Sequence, residues 1–490
     1  MFERRAYMLD VSRDRVPTQE TLEWLVWVLA ELGFNELQLY VEHTFAYSGH
    51  QEVWEGASPF TAEELRWLDR VCQVSSIDLV GNMNCFGHME RWLAHERYRG
   101  LAECPDGAPS LFGSGTMPPG CLAPTAQNAE FGVALARELG SAIRSRRIHI
   151  GGDEPFELGE GVSAADVADR GRETVYVEHL ERLIGPLVDD DYQVMFWADQ
   201  FRRDRSMLAR IPDGAIPGVW NYEAPSDGGW EAFLPPDLVT RLTLPEHPQL
   251  GFESHARLFI EAGRPFWVAP GTGSWNTFIG RNLNAAANIA DAAAVGAAKG
   301  SPGFLLTDWG DNGHFQPLPV SLPSMVRGGA AARGEPIDDD AEVAERIDEL
   351  LSCDPGVGAL LDRLGRIGES LGMVALNSSP LFSSLFTTGM PGIGEPDAEA
   401  VARGLEVLAE ARERFSQSIG GPRGAIVAAE MASACRLAQL GLRRLGARHG
   451  LGVEDPTAGE VKEAAQSQRA AWLLSSRPGG LDDSISKLFR

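Results

Sequence analysis

Short apolar runs alternate with longer amphipathic stretches from the first residues of the chain, and this alternation limits the fold more than any other feature. The runs are YMLDVS (7–12), ELQLYVE (36–42), IDLVGNM (77–83), RIHIGG (147–152), QVMFWA (193–198), AIPGVW (215–220), PFWVAP (265–270) and GFLLTD (303–308). Between the first two, TLEWLVWVLAELG (21–33) sets Leu22, Leu25, Val26, Leu29 and Leu32 at helical spacing and stops at Gly33. Similar patterns occupy 62–75, 127–144, 171–188, 254–262 and 281–298. A strand followed by a helical crossover is the mark of a parallel sheet. Eight such units over roughly 325 residues match an α/β chain folded as a (β/α)8 TIM barrel, with a doubly wound open sheet as the alternative.

Beyond about residue 335 the strand signals cease, and acidic, Ala- and Leu-rich helical patterns cover 340–367, 397–416, 422–449 and 458–475. This divides the chain into a catalytic barrel, 1–335, and a C-terminal α-helical domain, 336–490. The helical part carries no cluster of reactive residues, so its expected task is structural, packing on the barrel or on a second copy in a homodimer. The segment 99–124, rich in Gly, Pro and Ser, reads as a long surface loop at the barrel mouth.

Charge narrows the partners. Asp and Glu number 69 against 43 Lys and Arg, a formal net charge of -26, so the surface should repel nucleic acid and suits a neutral substrate. The apolar runs are too short to span a bilayer, and MFERRAYMLDVSRDRVP lacks the apolar core of a signal peptide, so no membrane partner and a cytoplasmic address are expected. The six cysteines show no CxxC spacing, which points to reduced thiols and to no metal or other cofactor.

In a TIM barrel the active site lies at the C-terminal ends of the strands. Reactive residues follow the apolar runs: Asp10 and Arg13, Glu42 and His43, His88, Asp153 and Glu154, Trp197 and Asp199, Trp220 and Tyr222, Trp275, then Asp308, Trp309 and Asp311. An adjacent Asp–Glu pair is by itself an ordinary solvated turn, and a lone Trp an ordinary core residue. Carboxylates and four tryptophans gathered at strand ends point instead to carbohydrate, since aromatic faces pack on a pyranose and carboxylates and Arg bond its hydroxyls. Gly151 and Gly152 would let a substrate approach the backbone closely.

These residues resemble glycoside hydrolase family 20, the β-N-acetylhexosaminidases, over most of 6–330. HIGGDE (149–154) is similar to that family's His-x-Gly-Gly-Asp-Glu signature, LDVSR (9–13) to its Asp-x-x-Arg opening, FGHME (86–90) to its Gly-His element and DWGDNGH (308–314) to its Trp-x-Glu element. The resemblance implies an exo-acting, retaining enzyme that releases terminal GlcNAc or GalNAc from a small glycoside or oligosaccharide, with the substrate's acetamido oxygen as nucleophile. It implies Glu154 as general acid and base and Asp153 as the group that orients the acetamido and steadies the oxazolinium. Arg13 and Asp311 would then bind ring hydroxyls, Glu42 and His88 would form a supporting carboxylate–imidazole pair, and Trp197, Trp220 and Trp309 would wall the pocket.

The chain departs from the family in three places. Strand two reads YVEHTFAY in place of an Asp-Asp pattern, Asp311 stands where a Glu is usual, and GTGSWNTFIGR (271–281) lacks a Tyr-x-Asp element, leaving Trp275, Asn276 or Tyr222 to replace it. With its first strand expected within ten residues of Met1, the chain would lack the family's customary N-terminal accessory domain, which resembles the compact cytosolic branch. Two kinds of alternative remain at this stage: a non-catalytic carbohydrate-binding barrel, or a barrel enzyme that is metal-dependent or acts on sugar phosphates, the latter suggested by GTGS (271–274).

Overall fold

The computed structural model describes residues 1–110, 115–226, 239–240, 242–386 and 392–489. Eight parallel strands close into a barrel: β1 (Arg4–Asp10), β2 (Glu36–Tyr40), β3 (Asp78–Asn82), β4 (Arg147–His149), β5 (Gln193–Trp197), β6 (Ala215–Trp220), β7 (Trp267–Ala269) and β8 (Gly303–Asp308). Each strand pairs with its sequence neighbours and β1 pairs with β8, so that Ala6 lies beside both Glu36 and Leu305. The open-sheet alternative is thereby excluded.

Alternation along each strand divides the core in two. On β1, Tyr7 and Leu9 point outward to the layer shared with the helices, while Ala6 and Met8 point inward. The inner group also takes Tyr40, Met195, Trp197, Trp267 and Leu305, with Trp275 and Trp309 above them. Helices α1 (Gln19–Glu31), α2 (Ala62–Val74), α3 (Ala126–Ser141), α4 (Arg172–Asp189), α5 (Asn282–Ala298) and α6 (Leu322–Arg333) surround the barrel. Three of them start where a threonine caps the first turn, Thr18, Thr61 and Thr125, and Thr61 forms a full capping box with Glu64.

The crossovers are less regular than the sequence pattern suggests. After β5 the chain makes only 3-10 turns, Asp199–Phe201 and Arg205–Arg210, and after β6 the short helices Phe252–His255 and Arg257–Ala262. Helix α6 escapes pattern reading because its core, GGAAA, is small and buried nearly all round instead of amphipathic.

A helical bundle follows: α7 (Asp340–Leu351), α8 (Val357–Gly365), α9 (Pro380–Leu385), α10 (Ala398–Phe415), α11 (Gly424–Arg448) and α12 (Ala458–Ser475), with α11 packed against α9, α10 and α12. By length and composition α11 could cross a membrane, which counting unbroken apolar runs overlooks, but 67% of its most apolar window is buried in protein, as in a core helix. The bundle grips the barrel mouth through Arg15, which donates to the carbonyls of His314 (2.8 Å) and Gln316 (2.7 Å) and lies 4.6 Å over the ring of Trp472.

The segment 99–124 is not a free surface loop. Four of its residues, 111–114, lie outside the described residues; of the rest, Ala102, Glu103, Cys121 and Leu122 are buried. The Glu103 carboxylate accepts the N–H groups of Gly159, Gly161 and Ser163, tying this loop to the one after β4.

Candidate active site

A pocket of about 240 Å³ opens at the C-terminal end of the barrel, lined by Arg13, His88, Asp153, Glu154, Trp220, Tyr222, Trp275, Trp309 and Asp311 among others. Nine of the residues singled out from the sequence therefore meet in one cavity. Glu42 and Trp197, also expected there, lie just behind its walls.

The β4 end is shaped by backbone strain and close packing. Gly151 has φ +68°, and a Cβ there would fall 2.3 Å from the Asn84 amide carbon, so the glycine makes room for Asn84 and not for a substrate. Asn84 uses that position to donate to Asp153 Oδ1 at 2.8 Å. Gly87 sits against the carbonyl of Asp153, where a Cβ would approach to 2.7 Å. Glu154 itself has φ +48°, an uncommon conformation for a non-glycine residue, and its N–H donates to Asp199 Oδ2 at 3.2 Å. The turn thus aims two consecutive side chains into the pocket.

His88 Nε2 stands 3.4 Å from Asp153 Oδ2 and 3.6 Å from Glu154 Oε2. Burial alone would push this imidazole toward neutrality, but Asp153, Glu90 and Glu154 outweigh it and hold its pKa well above the usual 6.5. Burial would likewise raise Asp153, yet the His88 cation and the Asn84 amide keep it below the ordinary 3.8. Glu154 goes the other way: burial, with the anions Asp153, Asp199 and Asp311 against His88, pushes it up to about 8. Two neighbouring carboxyl groups are thus driven apart, one fixed as the anion and one keeping its proton near neutrality.

At the opposite side, Arg13 donates to Glu42 Oε1 at 3.0 Å and stands 3.6 Å from Asp311 Oδ1. Glu42 also accepts from Tyr40 Oη at 2.9 Å. The expected Glu42–His88 pair is therefore corrected: Glu42 anchors Arg13, and the imidazole belongs to the β4 carboxylates. His43 Nε2 lies 2.5 Å from Asp14 Oδ1, outside the pocket. Asp10 accepts the N–H of Ser12 (2.7 Å) and of Gly310 (2.8 Å), clamping the loops after β1 and β8.

The aromatic walls also differ from expectation in one place. Trp220 stacks on Tyr222 with centroids 5.2 Å apart, Tyr222 meets Trp275 edge-on at 5.0 Å, and Trp309 donates its Nε1 proton to Tyr222 Oη at 2.9 Å. Trp197 is fully buried one layer lower, 6.0 Å from Trp309 and 4.3 Å from His149, so it supports the floor and does not wall the pocket.

Residues that shape the site without having been singled out from the sequence include Asn84, behind Asp153, and Leu376 and Asn377, in the lining. Asn84 is a strand-three neighbour whose role appears only once Gly151 is seen to be packed on it. Leu376 and Asn377 come from the segment between α8 and α9, so the helical region is not purely structural: it contributes to the pocket. Asn377 accepts from Trp275 Nε1 at 2.7 Å, and its N–H donates to Glu223, which is paired with Arg281.

The hydroxyls of the GTGS turn are not free for a phosphate. Thr272 Oγ1 and Ser274 Oγ both donate to Asp308 Oδ1, at 2.9 and 2.5 Å. Among the described residues no cluster of His, Cys, Asp and Glu is arranged to hold a metal ion.

No family model matches the chain. Among curated proteins it is similar to hexosaminidase D of Bos taurus, 23% identical over 312 residues, covering 60% of this chain and 82% of that protein. It is also similar to hexosaminidase D of Homo sapiens, 21% identical over 338 residues, covering 66% of this chain but only 64% of that protein, less than two thirds of its length. Among solved structures, the chitobiase of Flavobacterium johnsoniae superposes with a TM-score of 0.52 at 13% identity, covering 100% of this chain and 78% of that one. The exo β-N-acetylglucosaminidase of Vibrio harveyi, in complex with N-acetylglucosamine, gives 0.52 at 14% identity, over 72% of this chain and 58% of that one. At such identities the likeness establishes a shared fold.

Proposed function

We propose that the chain belongs to glycoside hydrolase family 20 and acts as an exo-acting, retaining β-N-acetylhexosaminidase on small glycosides or oligosaccharides. The observation that carries this reading is the divided Asp153–Glu154 pair facing an aromatic pocket: pairs of carboxyl groups whose surroundings push their pKa values apart mark acid and stabiliser. The names of the curated relatives and of the superposed structures point the same way.

In this mechanism the protonated Glu154 gives its proton to the glycosidic oxygen as the bond to C1 breaks. The acetamido oxygen of the same sugar closes on C1, forming a cyclic oxazolinium ion. Asp153, kept anionic by His88 and Asn84, accepts the acetamido N–H and offsets the positive charge of that ring. Glu154, now ionised, takes a proton from water, which attacks C1 from the side the leaving group vacated and reopens the ring. Two inversions give net retention. Arg13 and Asp311 bind ring hydroxyls, a task that suits the planar donors of arginine. Trp220, Tyr222, Trp275 and Trp309 enclose the sugar and exclude water.

The test is hydrolysis of a chromogenic aryl N-acetyl-β-hexosaminide by wild-type protein and by Glu154→Gln, each with and without chelator. Activity that survives chelation and falls at least about 100-fold in the variant is expected, from the usual share of a general acid. Loss of activity on chelation would favour a metal-dependent enzyme, and sugar binding without turnover a carbohydrate-binding barrel.

A further inference from the structure

A second cavity, of about 400 Å³, adjoins the pocket, and the two share Glu223 and Leu376 in their linings. We propose that Leu376, supplied by the C-terminal helical region, is a specificity-determining partition that limits how large a substituent the bound sugar carries. This rests on the hexosaminidase reading given above.

A side chain sets size only if its backbone cannot move aside, and here the backbone is held from several directions. The N–H of Asn377 donates to Glu223 Oε1 at 2.6 Å, its carbonyl accepts from Asn276 Nδ2 at 3.0 Å, and its side-chain oxygen accepts from Trp275 Nε1 at 2.7 Å. The next residues continue the attachment, since the Ser379 N–H donates to the Asn276 carbonyl at 3.1 Å. Glu223 is itself fixed by two bonds from Arg281, at 3.0 and 2.6 Å. Leu376 is 7% exposed and lines both cavities, so it stands between them and does not project into solvent. A buried side chain held on a rigid segment is felt by its neighbours to within a methylene.

The chemistry of the second cavity says what would enter it. Its charged groups are already engaged: Arg281 with Glu223, and Glu369 with the N–H groups of Leu283 and Asn284. Pro225, Met373 and Pro380 supply apolar wall. The space beyond Leu376 therefore suits a neutral, largely apolar extension of the sugar, and an anionic one would meet Glu223 and Glu369 with no free cation among the described lining residues.

The experiment compares Leu376→Ala with wild type on aryl β-hexosaminides bearing an N-acetyl group, an N-butanoyl group or a 6-O-propyl group, read as the ratio of kcat/KM for each extended substrate to that for the parent. The ratio cancels any loss common to all three. Wild type should discriminate against the extensions, since a pocket resolves a methylene by about 10- to 200-fold. Leu376→Ala should raise at least one of the two ratios 10-fold or more, Leu376→Val by less, and the volume-conserving Leu376→Met should leave both unchanged. Unchanged ratios in both Leu376→Ala and Leu376→Val, with wild-type hydrolysis intact, would overturn the partition alone. Tryptophan-fluorescence titration with the corresponding free sugars separates the two ideas: a shifted binding preference without any hydrolysis would keep the partition and overturn the catalytic reading, and no sugar binding by any of the proteins would overturn both.

Discussion

At the β1–β8 end of the pocket three carboxylates, Asp10, Glu42 and Asp311, surround the guanidinium of Arg13; at the β4 end two carboxylates, Asp153 and Glu154, share the imidazole of His88. The residue types are nearly the same, yet only at the second end does a carboxyl group that holds its proton near neutrality face the pocket: Asp10, though raised by burial to about 6, lies behind the lining and is spent on the N–H groups of Ser12 and Gly310. Arg13 cannot be deprotonated, and its neighbours raise its pKa well above the usual 12.5 in spite of burial, so that end holds a permanent charge suited to binding hydroxyls. At the β4 end burial, with the anions Asp153, Asp199 and Asp311 against His88, leaves Glu154 with a proton until about pH 8, while His88 and Asn84 keep Asp153 ionised. Burial and the balance of charge around each acid, and not the number of acids, separate binding from chemistry here.

Substitutions that exchange charge for shape test this contrast. Glu154→Gln should have the largest effect, lowering kcat by about 10²- to 10⁴-fold in steady-state assays. Asp153→Asn removes the anion that faces the developing positive charge and should cost about 10²- to 10³-fold in kcat, the range seen when one transition-state electrostatic partner is lost. Arg13→Lys keeps the charge but loses the planar fork. It should lower kcat/KM by about 10- to 100-fold, corresponding to roughly 1.5–3 kcal/mol for charged hydrogen bonds, and chiefly through KM. A kcat loss as large as that of Glu154→Gln, with KM unchanged, would erase the distinction between the two ends. A smaller effect is expected of Asp199→Asn. Removing an anion that raises Glu154 should move the alkaline limb of the kcat/KM profile to lower pH. As a control remote from both ends, Thr61→Ala breaks the α2 capping box, and should cost about 1 kcal/mol in denaturant unfolding while leaving kcat unchanged.

The same pair leaves a trace in stability. Glu154 is raised from 4.5 in the unfolded chain to about 8 in the folded one, so the folded protein holds the proton more tightly. Its contribution to stability is complete below about pH 4.5 and is lost as pH rises through about 8. Glu154→Gln should flatten that part of the stability profile.

Most of the barrel was legible because a parallel sheet buried on both faces forces apolar runs, and all eight runs became strands. The strand-end rule then located Asp153, Glu154, Arg13 and the lining tryptophans. It placed Trp197 one layer too high, since sequence position gives the side of a strand but not the depth at which a large ring lies. The family resemblance also paired Glu42 with His88, although two residues at adjacent strand ends need not face each other. Leu376 and Asn377 were beyond such reading altogether: they come from a segment with no strand or helix periodicity and reach the pocket through bonds to Trp275 and Glu223, which only the folded chain brings near.

The most direct test of the divided pair is the pH dependence of kcat/KM for an N-acetyl-β-hexosaminide whose leaving group needs protonation, measured for wild type and for Glu154→Gln. An alkaline limb near pH 8 in wild type that vanishes from the residual activity of the variant is expected. A limb that persists unchanged in Glu154→Gln, or a wild-type profile already falling between pH 5 and 6, would contradict the assignment of that proton to Glu154.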